Sequence, residues 1–333
     1  MSDAPSAPEP AAGDAPGPVP ERAALVVVSH RSAALLEKHL ARTVAELSAG
    51  PDAGRSVDVV VVDNSPAAED RARAREVGKA RGWLVVESPN EGFGAGANLA
   101  VRHALERGAQ AVLVVNPDLG LPGDVARALL DDVLADPERV VAPVILGPQG
   151  ATWFSGGTID LATGRTRANG ATDDDEVAWL SGACIAVAAR AWERIGGFDE
   201  RFFLYWEDVD LSWRARAAGL RLAVRRDLVA THEIGGTQEH AGTRRRSDTY
   251  YEENCRNRLV FAAHHLDPAA QRRWALGSVA WARAVVLRGG KKQLLQSPGP
   301  WLAVTRGTLA GLRYLRRGAP AWPAARTPVE ARP

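Results

Sequence analysis

The sequence has very little cysteine and no long apolar run. Cys184 and Cys255 are the only cysteines in 333 residues, and they lie far apart. Two distant cysteines argue against a disulfide framework or a cysteine-rich zinc site, and they favour a reducing, cytoplasmic setting. No stretch reaches the roughly 18 continuous apolar residues that a membrane-spanning helix needs. Residues 1–22 lack a basic start and an apolar centre, which predicts a disordered leader and not a signal peptide.

A strong net charge is also missing, since 41 Lys and Arg face 40 Asp and Glu. The charges are unevenly distributed. From Gln271 onward there are twelve Lys or Arg and one acid, Glu330, which leaves 29 cations against 39 acids in the first 270 residues. A protein that binds nucleic acid should carry basic charge on its folded domain. An acidic body with a basic tail therefore predicts that nucleic acid is not a partner.

Short apolar runs alternate with helical patterns in the first third of the chain. Runs rich in β-branched residues occupy 24–29, 57–62, 84–87 and 111–115, and helix-forming residues occupy 33–47, 67–81 and 96–107. Runs of this kind are typical of strands buried on both faces. Their alternation with helices predicts an α/β fold with a mostly parallel, Rossmann-like sheet flanked by helices.

Polar residues follow each of these four apolar runs. They are Ser29-His30-Arg31, Asp63-Asn64-Ser65, the segment 90–98 and Asn116-Pro117-Asp118. Ligands of open α/β sheets bind beyond the carboxyl ends of the strands, so these positions predict a binding site. Any one group alone is more often a helix cap or a turn. Their appearance after four successive strands favours a shared ligand site.

The third of these groups contains closely spaced glycines, Gly92, Gly94 and Gly96. They occur at every second position and after the third strand, whereas a nicotinamide site has G-x-G-x-x-G after the first. The spacing therefore argues against a dinucleotide site. Small residues here would instead allow the backbone to approach a ligand closely, with the amide of Asn98 on the first turn of the next helix.

An acidic cluster follows a run of aromatic residues in the segment 196–214. Glu207, Asp208 and Asp210 come directly after 202–206, which contains four aromatic residues. The aromatics favour burial, whereas the acids need solvent or a partner. A cleft in which one carboxylate acts as a base meets both requirements, and an ordinary capped helix start is the alternative. The spacing of Asp210 and Arg214 predicts an i, i+4 ion pair.

Seven motifs, in this order, resemble those of the family 2 inverting glycosyltransferases of the GT-A fold. They are V-V-V-S-H-R, V-V-D-N-S, N-E-G-F-G-A-G-A-N, N-P-D, W-L-S-G-A-C, G-G-F-D-E-R-F-F-L-Y-W-E-D-V-D-L-S-W-R and the later His232. The resemblance runs from about Ala24 to Leu259 and is strongest to the rhamnosyltransferase branch, which uses dTDP-L-rhamnose. With the composition, it predicts a GT-A catalytic domain over 23–265, a basic amphipathic helical extension over 266–320 and a disordered tail over 321–333. Within the catalytic domain, 23–120 would be the nucleotide half and 121–265 the acceptor half.

The resemblance implies that a nucleotide-sugar donor binds at the strand ends. The implied donor-binding residues are His30, Arg31, Asp63, Asn64, Asn90, Gly92, Asn98, Asn116, Asp118 and Arg256. Asp63 would face the base or ribose. Asp118 holds the last position of the family's D-x-D metal motif, whose first Asp is Asn116 here. Asp118 and His232 would bind a divalent cation, Mg²⁺ or Mn²⁺, although a lone histidine is as often a packing residue.

Asp208 matches the family's general base. The resemblance implies that it takes a proton from an acceptor hydroxyl as this oxygen attacks the anomeric carbon of the donor. Glu207 would assist catalysis or contact acceptor hydroxyls. The implied acceptor-binding residues are Trp179, Gly182, Ala183 and Glu207, with plain core packing as the alternative for Trp179. Arg256 and Asn257 match a family R-N motif, and either the donor or an acceptor phosphate suits the arginine.

The basic extension mixes cations with aromatic residues such as Trp274, Trp281 and Trp301. Such helices can lie in an anionic membrane interface, which predicts a protein peripheral to the inner face of the cell membrane. The implied acceptor is a glycan or a polyprenyl-linked intermediate. The alternative is a helical pair packed on the catalytic domain or on a second subunit of a homo-oligomer. Two other functions stay open: a UDP-hexose transferase of the same fold, and a non-catalytic subunit that binds nucleotide sugars.

Overall fold

The computed structural model describes residues 22–49, 56–233, 246–290 and 297–318. The strands are β1 Arg22–Ser29, β2 Ser56–Asp63, β3 Leu84–Glu87, β4 Ala111–Val115, β5 Leu119–Gly120, β6 Arg139–Leu146, β7 Thr152–Phe154, β8 Thr158–Asp160, β9 Arg165–Arg167, β10 Cys184–Ala188 and β11 Arg221–His232. Helix α1 joins Ala33–Leu35, a π-helical segment Leu36–Leu40 and Ala41–Ser48. The other helices are α2 Ala68–Arg81, α3 Phe93–Glu106, α4 Gly123–Ala135, α5 Ala189–Ile195, α6 Glu207–Ala217, α7 Asp248–His265, α8 Pro268–Leu276, α9 Ser278–Arg288 and α10 Gly299–Arg317.

The main sheet has the order β3-β2-β1-β4-β10-β6-β11-β5, with β7 added beside β6. Strands β1 to β4 are parallel, and Val26 of β1 pairs with Val60 on one side and Val114 on the other. Only β10 enters this part of the sheet in the opposite direction, between β4 and β6. Strands β1 and β4 are almost wholly buried because helices cover both faces. The predicted mostly parallel α/β fold is confirmed.

The four predicted strand ends lie at one edge of the sheet. Parallel strands in the order β3-β2-β1-β4 bring their carboxyl ends together, so the polar groups after Ser29, Asp63, Glu87 and Val115 become neighbours. The amino end of β10 arrives at this edge too, because β10 runs against β4 with Cys184 opposite Val115. The loop before β10 therefore joins the same edge.

The C-terminal helices pack on α7, the last helix of the predicted catalytic domain. Gly307 and Gly311 of α10 face it so closely that a Cβ on Gly311 would lie 2.9 Å from the Cβ of Leu259. Trp274 and Trp281, which we expected on a membrane-binding surface, are buried. Their rings enclose the guanidinium of Arg258, whose carbon lies 4.7 Å and 5.2 Å from the two ring centres. The inner faces of the C-terminal helices thus pack on the predicted catalytic domain, as the alternative to a membrane-binding role expected.

The predicted segment bounds are partly visible. Helix α7 ends at His265, where the catalytic domain was predicted to end, and β1 already begins at Arg22, inside the predicted leader. The predictions of a disordered leader and a disordered tail fall on residues 1–21 and 319–333, which lie outside the described residues. The division into nucleotide and acceptor halves stays a prediction. Among the described helices, none has the length and apolarity required to cross a membrane.

Candidate active site

A cavity of about 440 Å³ opens beyond the ends of β1, β2 and β3. Its lining includes His30, Asn64, Ser65, Arg71, Glu87 and Asn90. The side chains of the three loops are linked in a chain, since His30 Nδ1 lies 3.1 Å from Asn64 Oδ1 and Asn64 Nδ2 donates to Asn90 Oδ1 at 3.3 Å. The structure therefore brings these three predicted donor-binding residues together in one cavity.

Asp63 lies behind this cavity and is 1% exposed. Its carboxylate accepts hydrogen bonds from the hydroxyls of Ser29 at 2.9 Å and Ser65 at 3.2 Å, and from the Ser65 amide at 3.1 Å. Ser65 Oγ also accepts from the amide of Arg31, whose backbone is left-handed with φ of 55°. In this arrangement Asp63 orders the loops that carry Arg31 and Asn64. Its predicted contact with a base or ribose stays a prediction.

Asp118 and His232 meet at the other end of the same sheet edge. Asp118 Oδ1 lies 3.4 Å from His232 Nε2, and both side chains are largely buried. The imidazole stacks on Trp153 at 4.7 Å between ring centres, and its Nδ1 has no hydrogen-bond partner among the described residues. Burial raises the pKa of Asp118 above its ordinary value, although the nearby His232 opposes this effect. The structure thus brings these two residues together, and their role as cation ligands stays a prediction.

A divalent cation fits this pair only with further ligands. Within the described ranges, no group of three or more His, Cys, Asp or Glu side chains has the arrangement of a metal site. A hard cation that binds a nucleotide needs one or two protein ligands, with phosphate oxygens and water completing its shell. A buried carboxylate beside a histidine matches that requirement. Asp118 and His232 are the residues that would hold such a cation.

The loop before β10 joins this pair to the acidic cluster. The carbonyl of Ala183 accepts a hydrogen bond from the amide of Asn116 at 2.9 Å, and the amide of Gly182 donates to Asp208 Oδ2 at 3.1 Å. Gly182 and Ala183 thus lie between the N-P-D motif and Asp208. Trp179 is buried, and its indole N–H donates a hydrogen bond to the carbonyl of Thr158 at 3.2 Å. The contacts of Trp179 are those of a packing residue, and its acceptor role stays a prediction.

The acidic cluster begins with two residues in the left-handed region, Tyr205 with φ of 66° and Trp206 with φ of 74°. Neither is glycine, and such a backbone costs about 1 to 2 kcal/mol for each L-residue. Trp206 is buried against the rings of Phe261 and Trp274 at 5.4 Å and 6.1 Å. The sharp turn places Glu207 as the first residue of α6, where its carboxyl group points back into the protein.

The three carboxyl groups have different environments. Glu207 is 6% exposed, and its Oε2 has no hydrogen-bond partner in the described part of the chain. Burial together with the adjacent Asp208 holds the pKa of Glu207 well above the ordinary value. Burial also raises the pKa of Asp208, to about 6, although its two oxygens accept from the amides of Gly182 and Val209. Glu207 is thus suited to be a neutral hydrogen-bond donor and Asp208 a base near neutral pH.

Asp210 has a structural role. It is fully buried, and it accepts from Arg214 Nε at 2.8 Å while its Oδ1 lies 2.6 Å from His265 Nε2. Burial alone would raise its pKa, but the bonds from His265 and Arg214 outweigh it, so the pKa of Asp210 lies below its ordinary value. The predicted i, i+4 ion pair with Arg214 is confirmed. Asp210 thereby fixes α6 to α7.

The small residues of the third loop accommodate protein, which corrects the expectation that they admit a ligand. A Cβ on Gly92, whose φ is 106°, would overlap the carbonyl of Phe203, and one on Gly94 would lie 2.9 Å from Phe198 Cβ. The amide of Asn98, expected near the ribose or diphosphate, donates to the Phe198 carbonyl at 2.9 Å and accepts from the Phe198 amide at 2.8 Å. These residues position the segment that leads to the acidic cluster.

Comparison with known proteins identifies the family of the chain. Residues 20–258 match the model described as "Glycosyltransferase like family 2". The chain belongs to this family. The match includes the strand ends, the loop before β10 and the acidic cluster.

Related proteins of known activity transfer rhamnose or another hexose. The glycosyltransferase is 31% identical over 211 residues to the N-acetylglucosaminyl-diphospho-decaprenol L-rhamnosyltransferase of Mycobacterium tuberculosis, covering 54% of this chain and 67% of the relative. It is 20% identical over 181 residues to the dTDP-rhamnosyl transferase RfbF of Shigella flexneri, covering 53% of this chain and 60% of that protein. The similarity to both proteins is distant.

Solved structures show the same fold. The mannosyltransferase PcManGT of Pyrobaculum calidifontis, solved with GDP-Man and Mn²⁺, matches with a TM-score of 0.52 at 18% identity, over 90% of this chain and 88% of that one. Residues 1–349 of TarS from Staphylococcus aureus match with a TM-score of 0.51 at 17% identity, over 89% and 87% of the two chains. The family 2 glycosyltransferase therefore has the GT-A fold that its motifs predicted.

The environment of Asp208 predicts how the turnover number of this glycosyltransferase depends on pH. A base acts only when it is deprotonated, so kcat should rise with pH through about 6, the pKa of Asp208, and level off above it. Steady-state rates with saturating donor and acceptor, from about pH 5 to about pH 8, would check this. A kcat that stays constant down to about pH 5 would contradict the assignment.

Gly92 should tolerate no side chain. We expect Gly92→Ala to lower the free energy of unfolding by more than about 1 kcal/mol and to reduce kcat, because the new Cβ displaces Phe203. Gly82→Ala is the matched control, since Gly82 also has a positive φ, of 70°, but has open space around a Cβ. Urea unfolding and turnover of both variants would separate backbone strain from displacement of the loop. Equal turnover in the two variants would refute the contact argument.

Sequence reasoning missed Arg71 and Glu87 in the cavity wall. Glu87 ends β3 opposite Asp63 at the end of β2, and its carboxylate lies 3.3 Å from Arg71 Nε. A signal was present, because Glu87 is the last residue of the third apolar run. Arg256 was predicted to bind a phosphate. In the structure its Nη1 donates a hydrogen bond to the carbonyl of Arg201 at 3.0 Å. Its predicted role at a phosphate stays a prediction.

Proposed function

We propose that this family 2 glycosyltransferase transfers L-rhamnose from dTDP-L-rhamnose to a hydroxyl group of a polyprenyl-linked glycan, with inversion. The loop of Gly182 and Ala183 carries this proposal, because its hydrogen bonds connect the half-buried carboxyl group of Asp208 with the turn that leads to Asp118. A base and a candidate cation ligand on either side of one loop are what a single displacement requires. The rhamnosyl donor is supported by the similarity to two rhamnosyltransferases.

The reaction needs one proton transfer and one leaving group. Asp208 accepts the proton of the acceptor hydroxyl as that oxygen forms the new bond to the anomeric carbon. The bond from this carbon to the diphosphate oxygen breaks on the opposite face, and the nucleoside diphosphate departs with the electron pair. A divalent cation held by Asp118 and His232 would supply positive charge for the diphosphate. Glu207, kept neutral by burial, donates a hydrogen bond to an acceptor oxygen.

A panel of sugar nucleotides tests the donor. The protein is incubated with Mg²⁺ or Mn²⁺ and with dTDP-L-rhamnose, UDP-glucose, UDP-N-acetylglucosamine or GDP-mannose, and release of nucleoside diphosphate is measured. We expect release from dTDP-L-rhamnose and tighter calorimetric binding of dTDP than of UDP. Release from a UDP-hexose alone would assign the alternative donor. Binding without any turnover, with or without a polyprenyl diphosphate glycan, would favour a non-catalytic subunit.

The outer faces of the C-terminal helices support a membrane-bound acceptor. Six of the eight large apolar side chains exposed in the described part of the chain lie on α8, α9 and α10. They are Leu276, Val279, Leu287, Trp301, Leu302 and Leu309. Exposed arginines lie among them, such as Arg283 and Arg313. Apolar side chains mixed with cations suit an interface of anionic lipids, so we propose that these helices bind that surface.

Sedimentation with lipid vesicles tests this second proposal. The protein should sediment with vesicles that contain phosphatidylglycerol and stay in solution with neutral phosphatidylcholine vesicles. Val279→Asp, on the outer face of α9, should weaken the binding, whereas Leu161→Asp, at an exposed position after β8, should not. Absence of binding to anionic vesicles would overturn the membrane proposal and leave the transferase proposal intact.

A further inference from the structure

The turn that leads into Glu207 and Asp208 has an unfavourable backbone conformation. Tyr205 and Trp206 are both left-handed, and neither belongs to a helix or strand. Glu207 and Asp208 follow at once, so a change in this turn moves both carboxyl groups. The segment between Phe203 and Trp206 therefore needs support from elsewhere in the protein.

Asn257 of α7 supplies that support. It is fully buried, and its Nδ2 donates to the carbonyl of Leu204 at 3.0 Å and to the carbonyl of Tyr205 at 2.9 Å. One amide nitrogen thus binds two successive carbonyls of the turn. Its Oδ1 accepts from Arg256 Nη1 at 2.5 Å, which fixes the orientation of the amide so that the nitrogen faces the turn.

Neighbouring contacts of α7 hold both sides of the acidic cluster. Arg256 Nη1 also donates to the carbonyl of Arg201, before the turn. His265, at the end of α7, contacts the carboxylate of Asp210 after it. The helix itself is fixed from behind, because Gly311 of α10 lies against the carbonyl of Arg256 and the side chain of Leu259. The turn at Tyr205 and Trp206 is therefore attached to α7, a helix that is itself packed against α10.

We propose that Asn257 is a positioning residue for the transfer step, which holds Tyr205 and Trp206 in their left-handed conformation and so places Asp208 against the acceptor hydroxyl. This inference rests on the proposed role of Asp208 as the base. Asn257 is not among the described residues that line the cavity beyond β1, β2 and β3, so we expect it to act on turnover and not on donor binding. Arg256 acts with it by orienting the amide.

The test compares Asn257→Ala and Asn257→Asp with the wild-type protein. The aspartate keeps the oxygen that Arg256 binds, but it loses the donor that reaches the two carbonyls. We expect kcat of both variants to fall by about 10- to 100-fold, because a base displaced by about 1 Å is poorly aligned. The dissociation constant of dTDP should stay within about twofold. Hydrogen exchange at the amides of 203–207 should become faster in both variants, which is measured without substrate.

Asn254→Ala is the matched control. Asn254 is also a buried asparagine of α7, but its Nδ2 donates to the carbonyl of Tyr250 within the same helix. The kcat of Asn254→Ala and its hydrogen exchange at the amides of 203–207 should match those of the wild-type protein. Unchanged kcat and unchanged exchange in Asn257→Asp would overturn the proposal, as would equal losses in the Asn254 and Asn257 variants. If the wild-type protein transfers no sugar, the proposed function fails, and the exchange experiment still tests the support of the turn.

Discussion

Asp208→Asn is expected to lower kcat by about two to four orders of magnitude while the affinity for dTDP changes little. The amide is close to the carboxylate in size, and Oδ1 can still accept from an amide hydrogen of the protein, so the fold should persist. It cannot take the proton of an attacking hydroxyl. Rapid-quench measurement of a single turnover with saturating substrates, together with calorimetric binding of dTDP, would separate the chemical step from donor binding.

Glu207→Gln gives the contrasting result. Burial raises the pKa of Glu207 well above its ordinary value, which favours the neutral carboxyl group, and a neutral carboxyl group donates a hydrogen bond as glutamine does. We therefore expect a loss of less than about tenfold in kcat, far smaller than that of Asp208→Asn. Near-normal turnover of Asp208→Asn would remove Asp208 as the base. A larger loss in Glu207→Gln than in Asp208→Asn would exchange the roles of the two carboxyl groups.

Asp118→Ala should reduce kcat/KM for the donor by about 100- to 1,000-fold and abolish stimulation by Mg²⁺ or Mn²⁺. Asp118 is the carboxylate that, with His232, can hold a cation against the diphosphate. Without it, the negative charge that develops on the leaving group has less compensation. Turnover measured over a range of divalent cation concentrations would show the effect.

Asp124→Asn is the control for this second prediction. Asp124 follows the same N-P-D turn, but it is exposed and its carboxylate accepts only from the amide of Val125 in its own helix. Its kcat/KM and cation dependence should equal those of the wild type. If Asp118→Ala retained the wild-type response to the cation, the site formed by Asp118 and His232 would be ruled out.

Local patterns predicted the sheet and part of the acidic cluster. The runs 24–29 and 111–115 are strands because β-branched side chains fill a sheet covered on both faces. The ion pair of Asp210 and Arg214 follows from helical spacing alone. Such features depend on residues close in sequence, and periodicity is enough to find them.

Contacts between distant segments were beyond the reach of these patterns. Asn98 was expected at a ligand, yet its amide forms hydrogen bonds with the backbone of Phe198 and the carboxylate of Glu200, which only the packing of α3 beside the segment after α5 could reveal. Trp274 and Trp281 looked like surface aromatics of a basic helix, but Arg258 of α7 lies between them. The meeting of Asp118 and His232 was expected only from the family resemblance, because no local spacing relates them.

The reversed direction of β10 has a consequence for how the two substrates are accommodated. Parallel strands offer only their carboxyl ends to a ligand, whereas β10 brings its amino end to the same edge, where the backbone N–H of Gly182 donates a hydrogen bond to Asp208. The turn with Asp118, after β4, and the loop with Gly182, before β10, are therefore attached to adjacent strands of one continuous sheet. In the proposed reaction, the pairing of β10 with β4 holds these two segments at a fixed separation, because neighbouring strands lie about 4.8 Å apart. A catalyst of this kind can change its loops to accept new sugars while the separation of its reacting groups stays constant.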